Sequence, residues 1–250
     1  MNFTESPYKK IPYELVEEYT MNNKIKILDW WRDDSCGDGG IKWSNETVEK
    51  FIHHYTIENI KAGRNGWSPY GNRSVQLLLH SFVKYNIQNM NVAVIGSLDP
   101  WIEAMLLNLN NKVTTVEYNS PVCESSKIKC IDYFKEFENS KNMYDCIVTF
   151  SSVEHSGLGR YGDPLDPNGD IKTMKAIHNN LKKDGILIWG GPIGHDALVW
   201  NVHRVYGRIR LPLLFNNFEE IEWIGFDKDS LLNTELRNNG EQPVIVLKRT

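Results

Sequence analysis

Residues 92–119, VAVIGSLDPWIEAMLLNLNNKVTTVEYN, constrain the fold more than any other stretch. Val92 to Ile95 is a continuous apolar run rich in β-branched residues, the pattern of a strand buried on both faces of a parallel sheet. Gly96 breaks it. Asp99 suits a helix cap, Pro100 suits a first helical position, and Ile102, Met105, Leu106 and Leu109 then recur at the spacing of one apolar helix face. After an Asn-Asn-Lys turn a second strand is expected, with Glu117 at its carboxyl end, 21 residues beyond Gly96. Such a βαβ unit offers backbone N–H groups to an anion at its helix start, and its terminal carboxylate can accept from a ribose diol. A nucleoside-like ligand follows.

A dinucleotide site uses the glycines of GxGxxG to let a pyrophosphate approach the backbone. Gly96-Ser97-Leu98-Asp99-Pro100 keeps one glycine, which disfavours NAD. The stretch resembles motif I of the class I S-adenosylmethionine (SAM)-dependent methyltransferases. That resemblance implies SAM as cofactor, with Gly96, Ser97 and Leu98 in the loop under its methionine moiety and Glu117, followed by Tyr118, at its ribose. Where the family reads acid-x-Gly-x-Gly-x-Gly, Val94, Leu98 and Pro100 stand in place of the acid and the last two glycines. Asp99 is left either to hold the amine of SAM or to cap the helix.

Two later segments carry the same resemblance. Asp132, after the third strand, matches an acid that reads the adenine amino group, or is a surface turn acid. The fourth strand runs into Ser151-Ser152-Val153-Glu154-His155, similar to the Leu-Glu-His segment of the same enzymes, which implies that Ser151, Ser152 and Glu154 shape the cofactor pocket. MKAIHNNLKKDGILIWGGP is similar to their following helix, turn and fifth strand. Together the matching segments span residues 92–192.

The implied architecture is α/β: a Rossmann-like, seven-stranded methyltransferase sheet with its last strand antiparallel. Strands are expected at 92–95, 113–117, 128–131, 144–150, 185–190, 219–224 and 243–248, with helices after the first, fourth and fifth. Residues 1–88 lack this alternation and read as an N-terminal, mostly helical cap, leaving 89–250 as the SAM-binding core. Within the cap, Val75, Leu78, Leu79 and Phe82 share one face of a helix opened by Asn72. Trp67, Pro69 and Tyr70 then fall near the cofactor mouth.

A net charge of −4 gives no global case for a nucleic-acid or membrane-surface partner. No apolar stretch approaches the roughly 20 residues needed to span a bilayer, and MNFTESPYKKIPYE has no signal-peptide h-region. Cys36, Cys123, Cys130 and Cys146 lack the close pairs of structural zinc sites and read as single packed thiols of a cytoplasmic protein.

Methyl transfer from a sulfonium is an in-line displacement in which the protein aligns the acceptor and, for a hydroxyl, removes its proton. Imidazole titrates in the working range, so His155, at the mouth of the central strand, is the first base candidate, His195 the second and His203 the third. Residues 155–170, HSGLGRYGDPLDPNGD, make a turned loop over the acceptor side. Asp163 joins the catalytic candidates there, and Asp166 those that bind acceptor hydroxyls. With Asn168 and Asp170 these acids either hold a magnesium or calcium ion or form Asx turns, although the spacing is not that of an EF-hand. Asp196, His203, Arg204 and Tyr206 supply further polar groups for the acceptor, and Arg204, Arg208 and Arg210 suit a phosphate or carboxylate. This segment and the 155–170 loop resemble an uncharacterised family of methyltransferase-like proteins.

The reading is a SAM-dependent O-methyltransferase acting on a small hydroxyl-rich acceptor, a sugar or glycan precursor, because aspartates and histidines beside aromatic faces suit a polyhydroxylated ring. The alternatives are a non-catalytic binding protein on the same fold and a nucleic-acid methyltransferase. The last calls for a continuous basic surface or an Asn/Asp-Pro-Pro-aromatic motif, and the chain has no Pro-Pro pair.

Overall fold

The computed structural model describes residues 8–35, 41–65, 70–119 and 122–250, so Cys36, Trp67 and Pro69 lie outside the described residues. In chain order the described strands are β1 (Lys26–Trp30), β2 (Lys42–Trp43), β3 (Asn91–Ile95), β4 (Lys112–Glu117), β5 (Val122–Cys123), β6 (Ile128–Asp132), β7 (Tyr144–Phe150), β8 (Leu181–Gly190), β9 (Ala197–Asn201), β10 (His203–Val205), β11 (Phe218–Ile224) and β12 (Val244–Arg249). Seven of them form one sheet in the order β11-β12-β8-β7-β3-β4-β6. The five strands from β8 to β6 are parallel, and β12 runs antiparallel to both of its neighbours. Each lies on one of the seven expected segments.

The βαβ unit sits at the centre because β3 has apolar side chains for both faces. Val92 and Val94 join a core with Leu78, Phe82, Ile102 and Met105. Ala93 and Ile95 turn to the other face, against Ile147, Ile177 and Trp189. The helix Gly71–Lys84 buries Val75, Leu78, Leu79 and Phe82, the face its spacing predicts. The helix after β3 spans Trp101–Leu107 and begins one residue later than expected. Pro100 is its N-cap residue, and no side chain caps it. Asp99 is therefore not the cap; its carbonyl accepts from Trp101 N–H at 2.8 Å.

The chain after β8 departs from expectation. No helix follows directly; Ala197–Asn201 and His203–Val205 are strands, antiparallel to each other, and β9 also pairs in parallel with β1. The local sequence ALVWN-VHRV explains this, since valine and tryptophan favour a pleated, packed surface. All five residues of β9 are buried. A second small pair, β2 with β5, lies near the carboxyl end of the central strands, where the Trp43 indole N–H donates to the Leu98 carbonyl at 3.0 Å. Among the described residues no helix is long and apolar enough to cross a membrane.

Candidate functional site

The carboxyl ends of β3, β4 and β7 open on a cavity of about 230 Å³. Its first wall is the turn after β3. Gly96 has φ +79°, a conformation that side-chain-bearing residues rarely adopt, and a Cβ there would stand 1.9 Å from Ser152 Oγ. Only glycine lets the β3 and β7 loops close on each other in this way. The next peptide is fixed from β4: the Ser97 backbone N–H donates to the Glu117 carboxylate. Burial pushes the Glu117 carboxyl up to about 7, against the pull of that N–H.

Behind Ser97 lies an acid that the sequence reading passed over. Glu103 is fully buried. It accepts from Thr115 Oγ1 at 2.8 Å and lies 3.1 Å from Ser97 Oγ. Burial raises its carboxyl to about 7, with the two hydroxyls offsetting part of the shift. The available signal was a lone acid inside the otherwise apolar run WIEAMLL. Its position on the buried face ties helix, turn and β4 together.

Gly96, Ser97, Leu98, Asp99, Glu117 and Tyr118 all line the cavity, as do Ser151, Ser152, His155 and Asp163. Ser151 holds φ +53°, an uncommon angle for a residue with a side chain, and its N–H donates to the Gly190 carbonyl at 2.8 Å. Asp132 does not line the cavity. It caps the short helix Tyr133–Phe137 through Lys135 N–H and pairs with the Lys135 ammonium at 3.1 Å.

His155 is largely buried, with 13% of its side chain exposed. Its Nδ1 is 2.6 Å from the Val202 carbonyl, and a carbonyl can only accept, so Nδ1 carries the proton and Nε2 is the free acceptor. Burial, reinforced by the Arg160 guanidinium, pushes the imidazole down to about 3. The expectation of a base that titrates in the working range is thus corrected: His155 is neutral and weakly basic. Glu154 is buried behind it, with Oε1 3.9 Å from Nε2. Neither Glu154 oxygen accepts a hydrogen bond of standard geometry. Burial raises its carboxyl to about 7, although the Ser151 hydroxyl and Ser152 N–H lie near enough to moderate the shift.

Most of the side chains expected to meet the acceptor are engaged elsewhere. Asp163 accepts from the backbone N–H groups of Gly157, Gly159 and Tyr161, so it organises its own loop. Asp166 pairs with Lys172 at 2.5 Å. Asp196 accepts from the N–H groups of Gly207, Ile209 and Arg210, and His203 Nε2 donates to the Asn238 carbonyl at 2.8 Å. His195 is exposed and does not line the cavity.

The arginines make a buried hub. Asp170, with no exposed surface, receives Arg210 at 2.5 Å, Arg204 Nε at 3.6 Å and the Tyr206 hydroxyl at 3.1 Å. Arg204 also donates to the Ser156 carbonyl at 2.7 Å, and Arg210 to the Pro167 carbonyl at 2.7 Å. Arg204, Tyr206 and Arg210 therefore hold the 155–170 loop in place, while Arg208 is on the surface beside Asn233. Among the described residues no lysine or arginine lines the cavity, and no group of three His, Cys, Asp or Glu side chains could hold a metal ion.

The strand order and the antiparallel last strand are those of the class I methyltransferase fold. The 1,6-didemethyltoxoflavin N1-methyltransferase of Burkholderia thailandensis, solved with 1,6-didemethyltoxoflavin and S-adenosylhomocysteine (SAH), superposes with a TM-score of 0.53 at 13% identity, covering 86% of this chain and 93% of that one. The N-methyltransferase NodS of Bradyrhizobium japonicum, solved with SAH, gives 0.48 at 13% identity over 81% of this chain and 98% of its own. By sequence, the chain belongs to the family described as Caenorhabditis protein of unknown function, DUF268, whose model matches residues 89–247. No curated protein sequence matches it.

Proposed function

We propose that this chain is a SAM-dependent methyltransferase directed at a hydroxyl oxygen of a small acceptor. The observation that carries the reading is the cavity wall in which a sterically obligatory glycine turn stands next to a carboxylate at the end of the neighbouring strand. Glu117 would accept from the ribose hydroxyls with the lone pairs its Ser97 contact leaves free, and the Gly96 to Asp99 backbone would lie along the methionine part. When bound, SAM supplies an electrophilic methyl group. The chain's own part is to align the acceptor, keep water out, and take a proton at His155 Nε2. The bound SAH of the Burkholderia enzyme, on the same fold, supports the cofactor assignment.

The sugar or glycan acceptor loses its support, because Asp163, Asp166, Asp196 and His203 are spent on internal partners and His195 stands apart. The lack of lysine or arginine on the described cavity wall speaks against a nucleic-acid acceptor. A non-catalytic binding role on the same fold draws on one observation, the low basicity of His155.

Calorimetric titration with SAM and SAH tests the reading. Micromolar binding is expected, weakened about tenfold or more in Glu117→Ala by loss of the charge-assisted ribose bonds. His155→Ala should lower turnover while leaving SAH affinity near wild type. Failure of a folded sample to bind either ligand would sink the enzyme reading in favour of the non-catalytic one.

A further inference from the structure

We propose that the acceptor is an uncharged aromatic ring bearing an acidic hydroxyl, a phenol and not a sugar; this rests on the methyltransferase reading of the same site. The first support is the shape of the wall. Tyr70, Trp101 and Phe150 meet there as a ring cluster, with centroids 5.2 Å apart for Tyr70 and Phe150, 5.9 Å for Tyr70 and Trp101, and 6.0 Å for Trp101 and Phe150. Tyr161, in the same cavity, lies edge-on to His155 at 5.5 Å and is braced by the Arg160 guanidinium 4.8 Å from its ring. Aromatic faces and edges reward a flat partner through stacked and edge-on contacts, beyond the area they bury.

The second support is what the wall withholds. Glu117 is held by the Ser97 N–H and Asp163 by three loop N–H groups, and no described lysine or arginine reaches the cavity. An anionic acceptor would find no counter-charge among the described wall residues.

The third is proton chemistry. In the transfer, an acceptor oxygen lone pair forms the O–CH3 bond while the S–CH3 bond breaks, its electron pair returning to sulfur and turning the sulfonium into a neutral thioether. The acceptor's hydroxyl proton passes to His155 Nε2, and Glu154, 3.9 Å away, offsets the imidazolium charge once ionised. Burial leaves His155 a weak base. A phenol ionises near the tyrosine value of about 10, whereas an alcohol holds its proton far more tightly, so the weak base can assist the first much better than the second.

The experiment is saturation-transfer difference NMR on the full chain with p-cresol and methyl α-glucoside in competition, with and without SAH. We expect transfer to the p-cresol ring protons and none to the glucoside. Tyr161→Phe should keep the signal, and Tyr161→Leu, which keeps bulk without the π face, should weaken p-cresol binding about five- to tenfold. Glucoside binding equal to or stronger than that of p-cresol, absence of p-cresol binding at millimolar concentration, or full retention in Tyr161→Leu would overturn the proposal. An SAH titration of the same samples separates the two readings: Tyr161-dependent p-cresol binding without SAH binding would end the methyltransferase assignment and leave the aromatic site standing.

Discussion

The turn after β3 and the stretch after β8 look alike in sequence. Each leaves the carboxyl end of a core strand, and each carries at least one glycine and polar side chains. In the structure they do opposite things. The turn after β3 presents Ser97, Leu98 and Asp99 to the cavity, because Gly96 folds it tightly against Ser152 and β4 holds it with the Val116 carbonyl, which accepts from Gly96 N–H, and the Glu117 carboxylate, which accepts from Ser97 N–H. The stretch after β8 turns its polar groups inward, because β9 and β10 add a second small sheet whose connections have backbone N–H groups to satisfy. Asp196 serves three of them, and Arg204 and Arg210 converge on Asp170. Two carboxylates that do line the cavity, Glu117 and Asp163, also accept from backbone N–H groups, so what separates the two stretches is that Asp196 and Asp170 are used up away from the cavity.

That contrast breaks most sharply at Asp170. Asp170→Ala would leave two buried guanidinium groups without their carboxylate, and it should destabilise the fold by roughly 3–5 kcal/mol. Asp166→Ala, four residues earlier in the same loop, removes a partly exposed pair with Lys172 and the acceptor of the exposed Asn168 N–H, and should cost about 1 kcal/mol. Denaturant unfolding of the two variants measures both. Comparable losses would mean that Asp170 is not the anchor of the loop.

The next largest effect is expected at Gly96. Gly96→Ala should abolish measurable SAH binding, since the added methyl would overlap Ser152 Oγ and force the two loops apart. Adding Ser152→Gly removes that clash but not the positive φ, which still costs about 1 kcal/mol. The double variant should therefore recover part of the affinity. Wild-type binding in Gly96→Ala alone would remove the turn from the site.

The central sheet strands were legible because a parallel sheet covered on both faces leaves short continuous apolar runs, as in residues 92–95 and 146–148. The cavity wall at Gly96 and Glu117 was legible for the same reason, since strand ends place both residues. The acceptor side was not. Whether Arg204 meets a phosphate or Asp170 depends on a pairing across more than thirty residues, and β9 was hidden because its parallel partner, β1, lies far upstream at Lys26–Trp30. His155 was found at the cavity, yet its protonation depends on its burial, then on Arg160 and the Val202 carbonyl, which no local pattern announces.

Glu103 sharpens the cofactor half of the comparison. It reaches the cavity only through Ser97, so Glu103→Ala should weaken SAH binding about threefold to tenfold by leaving the Ser97 hydroxyl the Asp99 carbonyl as its one remaining acceptor, a loss of about one hydrogen bond's worth. Glu103→Gln, which can still meet both Ser97 and Thr115, should stay near wild type. Equal losses in the two variants, measured by calorimetry, would assign the residue to charge and not to positioning.

The smallest effect is a pH dependence that distinguishes Glu154 from the satisfied acids of the loop. Burial raises the Glu154 carboxyl to about 7, above its unfolded value near 4.5. The folded state therefore binds this proton more tightly, and the associated stability is fully present below about pH 4.5 and lost as pH rises through 7. His155 runs the other way. Its folded value near 3 lies below the unfolded 6.5, so it adds stability as pH rises between those limits, and it is neutral in the fold across pH 5–8. Because His155 is present in both proteins, its contribution largely cancels when wild type is compared with Glu154→Gln. The melting temperature of Glu154→Gln should gain on wild type by a few degrees between pH 5 and pH 8, with the gain levelling off above 7. A constant difference across that range would show that Glu154 is ionised throughout and has a partner, most simply a bound water, that stabilises its charge.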